Sequence, residues 1–334
     1  MGTVFSSRNL KLLVLGAALG CGYGLLVRAS GKGSALLPVM SVSFLFLLPF
    51  AIGFLAVFFV ERHQAQPAWI WLVLPLVPLT GCIAAMFLLL WEGWICIVMF
   101  APVGAGFAIV GGLLGGWLAS RLRKRRTANS ILAGVLLLPV IASPLEPHVL
   151  ASRDIRRVET SIDIRATPEA IWRNIERVPR IDRGELPPSW SHRLGFPNPV
   201  EATLSFPGVG GVRHATFEGG VLFIETIDVW EPERRLSFSI AAQTSRIPPT
   251  TLDEHVTVGG PYFDVLRGEY RLQPLQDGTV RLHLSSQHRL STDFNWYASL
   301  WTDAVMADLQ KRILRVIQAR CERDFSLSNP AIQP

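Results

Sequence analysis

The chain has 334 residues, 49% of them hydrophobic and 17% charged, with a formal net charge of +6 at pH 7. That length leaves room for two domains. Much of the positive excess lies in one short stretch around Arg121–Arg126 rather than along a stripe, so nucleic acid is excluded as a partner and anionic lipid headgroups account for it. The four cysteines form no CxxC pair, which argues against a zinc cage or a redox pair; no metal and no cofactor is expected.

Residues 1–150 read as a transmembrane domain of five helices, at 10–27, 36–60, 69–90, 94–118 and 131–147. The second, third and fourth carry no charged residue and exceed the ~20 residues that cross ~30 Å of hydrocarbon. The first is shorter, holds Lys11 at its edge, and reads as a retained anchor rather than a cleaved signal peptide. The fifth is interrupted by Pro139 and Pro144, and it decides the sidedness. With five crossings, Arg8, Lys11, Arg62 and the Arg121–Arg126 cluster share one side, eight Lys/Arg against Arg28 and Lys32 on the other. The positive-inside rule then puts those eight in the cytoplasm and the remainder outside it, the membrane being read as a bacterial inner membrane. Were 131–147 to lie in the interface instead, the remainder would be cytoplasmic.

The spans show no ionisable residue at membrane depth, with Glu61 and Glu92 assigned to loops, which argues against a pump or voltage sensor. Gly16, Gly20 and Gly24, then Gly104, Ala108, Gly112 and Gly116, recur at helical spacing. Such ridges let backbones approach closely, within the chain or in self-association with a second copy. A lipid-sized groove is the alternative.

Beyond residue 150 the pattern turns to period two. Val158, Thr160, Ile162 and Ile164 alternate with polar neighbours as in a half-buried strand. Thr167-Pro168-Glu169 supplies an N-cap, a first-turn proline and an early acid, which start a helix. Strands are predicted at 200–206, 212–219, 221–230, 235–241, 262–272 and 279–290, separated by Gly-, Pro- and Asp-Gly turns. A helix from about 293 to 322 closes the pattern, its apolar stripe running through Tyr297, Trp301, Val305, Leu309, Ile313 and Ile317. Residues 323–334 read as a disordered tail.

Ile162-Asp-Ile-Arg-Ala-Thr-Pro-Glu-Ala-Ile-Trp172 resembles the opening strand and helix of the SRPBCC superfamily of START, polyketide cyclase and birch-pollen-allergen-like domains. Gly211-Val-Arg213, Glu225-Thr-Ile-Asp-Val-Trp-Glu-Pro232 and Arg235-Leu-Ser-Phe238 resemble its central strands. The resemblance covers residues 155–322 and implies an α+β helix-grip domain at 151–322, a curved antiparallel sheet of about seven strands around the last helix. It also implies an apolar cavity that binds lipids or polyketides, in a fold of which only some members are enzymes.

Alternation selects the side chains facing such a cavity. Val221, Phe223, Glu225, Ile227 and Val229 share one face; so do Tyr262, Leu266, Tyr270 and Leu272, and Leu284, Ser286 and His288. A carboxylate among apolar neighbours needs a partner or a raised pKa, which makes Glu225 the foremost candidate. It pairs with an internal Arg or His, marks a pocket's polar end, or acts with His288 and Tyr270 in acid–base chemistry. Tyr262, Phe223, Ser286, Trp301 and Tyr297 complete the candidate pocket. The leading expectation is a membrane-anchored protein holding a lipid or other hydrophobic small molecule, with membrane lipids as further partners. The alternatives are a cyclase, dehydratase or hydrolase using Glu225 and His288, and a structural or regulatory protein without ligand.

Overall fold

The computed structural model describes residues 6–31, 40–122, 127–146, 153–243 and 258–328. The expected start of the second span, the basic residues at 123–126, residue 147, most of the connection at 247–261 and the last six residues lie outside these. The chain forms two compact units, Met1–Ala151 with Thr292–Phe294, and Ser152–Ser291 with Asn295–Pro334.

The first unit is helical. It comprises α1 (Ser7–Gly31), a π-helical stretch (Ser43–Leu47) running into α2 (Leu48–His63), α3 (Ala68–Val73), α4 (Leu76–Leu88), α5 (Trp94–Leu122) and α6 (Thr127–Ala142), which ends in a 3-10 turn. Four segments, Ser7–Ser30, Ser43–His63, Ala68–Leu88 and Trp94–Leu122, are long and apolar enough to cross a membrane; Asn129–Leu145 is apolar but shorter. The expected span at 69–90 is two helices rather than one, because Pro75 has no N–H to continue the hydrogen-bond ladder.

Buried along most of its length, α2 is the hub of this unit. Gly16 and Gly20 bring α1 onto it: a Cβ at Gly16 would stand 2.8 Å from the Ala56 carbonyl oxygen, and one at Gly20 3.1 Å from that of Ile52. A Cβ at Gly53 would collide with the Ala108 backbone of α5, and one at Gly111 with that of Phe50. Gly112 and Gly116 instead abut Trp71 of α3. The glycine ridges therefore pack within the chain. The closest α2–α5 approach uses Ala108, on the face that the spacing suggested, together with Gly111, and Gly115 one turn on from Gly111 joins them.

Three polar details revise the sequence reading. Glu61 lies in the last turn of α2, not in a loop; it is buried and accepts hydrogen bonds from the Gln66 amide (2.8 Å) and Trp71 Nε1 (3.2 Å). Arg28, buried near the end of α1, pairs with Glu92 at 2.7 Å. The free thiols of Cys21 and Cys82, far apart in sequence, meet at 3.8 Å between α1 and α4.

Two further contacts fix the course of α6. Arg62 at the end of α2 donates to Asn129 at the start of α6. At the other extreme, Glu146 accepts from the Val42 and Ser43 amides at 2.7 and 2.6 Å, capping the start of the π-helical stretch that leads into α2. The fifth helix thus runs antiparallel along α2 from one end to the other. That Ser43–His63 segment has 21 residues, or about 31 Å of helix.

In the second unit, seven antiparallel strands form one curved sheet in the order β1-β7-β6-β5-β4-β3-β2. They are β1 (Asp154–Ile164), β2 (Pro199–Leu204), β3 (Val212–Phe217), β4 (Leu222–Glu231), β5 (Arg235–Gln243), β6 (Phe263–Pro274) and β7 (Val280–Leu290). Helices α7 (Pro168–Glu176) and α8 (Trp190–Arg193) fall between β1 and β2, and α9 (Asn295–Ser328) follows β7. Thr167 caps α7 by accepting from the Ala170 amide at 3.3 Å, with Pro168 in the first turn. The inner face of the sheet packs Ile227, Leu236, Phe238, Tyr270, Leu272, Leu282 and Leu284 against Leu314 and Ile317 of α9 and Trp172 of α7. This is the α+β helix-grip arrangement.

Here too the structure departs from the pattern in places. Helix α9 continues to Ser328, into what reads from sequence as a disordered tail. Its buried line is Ser299, Met306, Gln310, Leu314, Ile317 and Cys321, while Tyr297, Trp301, Val305 and Leu309 are only half-buried. Two β-bulges break the alternation. At Asp228 the bulge shifts register, so that Val229 faces outward opposite Ser237 and Trp230 turns inward opposite Leu236. At Leu266 a second one puts Val265 opposite the inward-facing His288, and Tyr262 precedes the strand.

Candidate functional site

Strand pairing builds the site from β3 and β4. Arg213 is directly opposite Glu225, so both side chains point to the inner face, where Arg213 is 2% exposed and Glu225 8%. The Arg213 Nη1 and Glu225 Oε2 atoms are 3.2 Å apart. The guanidinium lies over the Phe238 ring, 4.9 Å from its centroid, and its charge acts on the neighbouring Tyr270 phenol. Burial pushes the Glu225 carboxyl above the usual carboxylate range, with Arg213 pulling it part of the way back. The same burial pushes Tyr270 up to about 12, so it remains a phenol at every physiological pH.

This cluster is under-bonded. Arg213 Nε and Nη1 and Glu225 Oε2 are buried and make no hydrogen bond among the described residues; the ion-pair contact lacks the alignment of one. A buried polar atom left in this state costs ~1–3 kcal/mol, more when charged, so the cluster has capacity for a ligand's polar group or water.

A second polar group occupies the β7–β1 side. His288, fully buried, packs its ring 5.4 Å from that of Phe263, and its Nε2 is 3.5 Å from Asp303 Oδ1 of α9. Asp303 in turn accepts from Arg156 Nε at 3.0 Å. Neither imidazole nitrogen makes a hydrogen bond among the described residues. Burial holds the His288 pKa below its ordinary value; the Asp303 charge opposes this and Arg156 reinforces it.

The candidate residues therefore separate into groups. Glu225 and Tyr270 come together through Arg213. His288 does not join them: Tyr270 pairs with Leu284, four residues along β7 from His288, or about 13 Å of strand. Between them, Ser286 accepts from Gln310 Nε2 at 2.9 Å, and Gln310 also bonds the Val158 carbonyl and Thr160, which locks α9 to the sheet. Phe223 faces inward but packs against Phe217 in a separate small cluster with Ala215 and Val178. Tyr262 leaves the inner face because of the bulge, and Tyr297 and Trp301 are half-exposed at the start of α9.

Alternation missed the partners. Arg213 sits at a face position of β3 shared with Ala215 and Phe217, and Asp303 and Gln310 lie seven residues apart on one face of α9. A charge on an apolar face is the signal that picks out Arg213, as it did Glu225.

No family model matches the sequence, and no curated protein matches it. Solved structures resemble the C-terminal half. The Zhui aromatase/cyclase from Streptomyces sp. R1128 is 13% identical, with a TM-score of 0.34, over 52% of this chain and 96% of that one. A START superfamily protein from Mycobacterium smegmatis is 8% identical, with a TM-score of 0.33, over 50% and 97%. DynU16, from the dynemicin biosynthetic locus, is 16% identical with a TM-score of 0.28, and the match spans only 46% of its length.

Proposed function

We propose that this chain is a membrane-anchored binding protein whose C-terminal domain holds a lipid or other hydrophobic small molecule. The observation that carries the reading is the buried Arg213–Glu225 pair, facing inward beside Phe238 and Tyr270 with hydrogen-bonding atoms that no described residue uses. A ligand with an apolar body and one polar group matches that surface: the body replaces water against the rings, and the polar group takes the free donors. Joint catalysis by Glu225 and His288 is disfavoured, since the register holds them in separate rows. The four long apolar helices support the anchoring. The course of α6 along α2 supports five crossings, with the C-terminal domain on the extracytoplasmic side of a bacterial inner membrane.

Native mass spectrometry of the full chain, released from lipid nanodiscs, tests the ligand. We expect one class of apolar molecule bound at unit stoichiometry, and at least tenfold less of it on an Arg213→Met/Glu225→Leu double variant. Replacing both partners avoids leaving one buried charge orphaned. Equal retention by a folded double variant would overturn the site, and a bare wild-type chain would overturn the binding function.

A further inference from the structure

The start of α9 exposes an apolar face that the proposed ligand site does not use. Trp296 and Leu300 are each 65% exposed, one turn apart, and Ala304 continues the line. Tyr297 and Trp301 flank them, with ring centroids 5.8 Å from Trp296 to Tyr297 and 6.5 Å from Tyr297 to Trp301. Between residues 295 and 307 the only charged side chain is Asp303, which is taken up by Arg156 and His288. A tryptophan and a leucine exposed side by side, bordered by a tyrosine and a second tryptophan, make an unusual surface for a domain bathed in water alone.

The covalent path says what covers it. Glu146 is bonded to the start of the helix that contains α2, at one end of the apolar bundle, and β1 begins at Asp154. Eight residues reach at most about 28 Å. Asn295 donates to Asp154 at 3.0 Å, so the first turn of α9 lies beside the point where this tether enters the domain. Arg153, exposed at the same point, offers a cation that an anionic headgroup could meet.

We propose that Trp296 and Leu300 insert into the interface of the bilayer that holds the helices, with Tyr297 and Trp301 at the headgroup level. Amphipathic rings favour that depth, and the apolar side chains gain by leaving water. The inference rests on the anchored reading above. It adds a second membrane contact, made by the ligand-holding domain itself.

The test uses the full chain in nanodiscs of phosphatidylcholine and phosphatidylglycerol. An environment-sensitive NBD dye is attached at Leu300→Cys, with a control at Gln276→Cys in the exposed β6–β7 turn. The parent chain, treated with the same dye, supplies the blank for its own cysteines. We expect emission at 300 to be blue-shifted, quenched at least fivefold more by nitroxide-bearing lipid than at 276, and protected from aqueous iodide. Equal iodide quenching at the two positions overturns the docking. Protection from iodide without lipid quenching, together with cross-linking of Leu300→Cys between chains, assigns the face to a second copy and also overturns it. The same readings at Ala304→Cys serve if the first variant fails to fold. A chain that does not enter the discs would overturn the anchored reading itself, a separately visible outcome.

Discussion

His288 is the residue whose behaviour the geometry predicts most directly. Its ring is enclosed, both nitrogens lack hydrogen bonds among the described residues, and burial holds its pKa below the ordinary value of a histidine. The folded state therefore prefers the neutral ring. A depressed folded pKa means that this stability is complete above the unfolded value near ~6.5 and is lost as pH falls through it. The thermal midpoint of the detergent-solubilised chain should drop between pH 7.5 and 5, and His288→Leu should flatten that slope while leaving Arg156–Asp303 intact. An unchanged slope in the variant would assign the acid sensitivity elsewhere. Glu225 cannot be its source: with a raised folded pKa, its contribution is present below the unfolded value near ~4.5 and fades as pH rises. Both residues stood out in the sequence because each breaks an apolar alternation. Their separation did not, since it depends on which residues of β6 and β7 lie opposite each other, and the bulge at Leu266 helps to set that register.

At the scale of elements, the sequence predicted type and order well and faces less well. All seven strands and the closing helix fall within a few residues of their expected positions, because alternation and turn residues are local signals. The bulges at Asp228 and Leu266 leave no such mark, and they decide that Trp230 rather than Val229 joins the core, where it meets Trp172 at 5.1 Å. The helix faces show the same limit. Of the ridge of Gly104, Ala108, Gly112 and Gly116, Ala108 meets Gly53 of α2 while Gly112 and Gly116 abut Trp71, and Gly111 and Gly115 complete the α2 contact, since the choice among adjacent small residues belongs to the partner helix. This gives a sharp contrast for mutation. Gly53→Ala and Gly111→Ala press a methyl against opposing backbone, which no rotamer change relieves, and should each cost about 1–3 kcal/mol. Gly22→Ala and Gly106→Ala point into open space and should be neutral or slightly stabilising. Thermal unfolding followed by fluorescence-detected size exclusion separates the two pairs; a similar loss in all four would show that the α2–α5 crossing is not the tight contact described.

For the whole molecule, the decisive element is the shortest apolar helix. Composition alone left 131–147 ambiguous, since Pro139 and Pro144 interrupt it, and both prolines sit within or just after α6. What composition could not supply is its two end contacts. Arg62 with Asn129 and Glu146 with the Val42 and Ser43 amides place the helix ends level with those of the segment Ser43–His63. If that segment crosses a bilayer, α6 crosses it in the opposite sense, and the chain emerges at the end where α1 finishes rather than where it starts. The basic residues agree: Arg8, Lys11, Arg62 and Arg121 lie toward the end where α1 begins, and four more Lys/Arg follow Arg121 in the sequence, the pattern of a cytoplasmic face. Alkaline phosphatase fused after residue 150 should therefore be active in a bacterial host, and a green fluorescent fusion there should be dark. Truncating before α6, with the fusion after residue 126, should reverse both signals. Fluorescence at both positions would mean that α6 turns back without crossing, and the C-terminal domain would then face the cytoplasm with its ligand drawn from the inner leaflet.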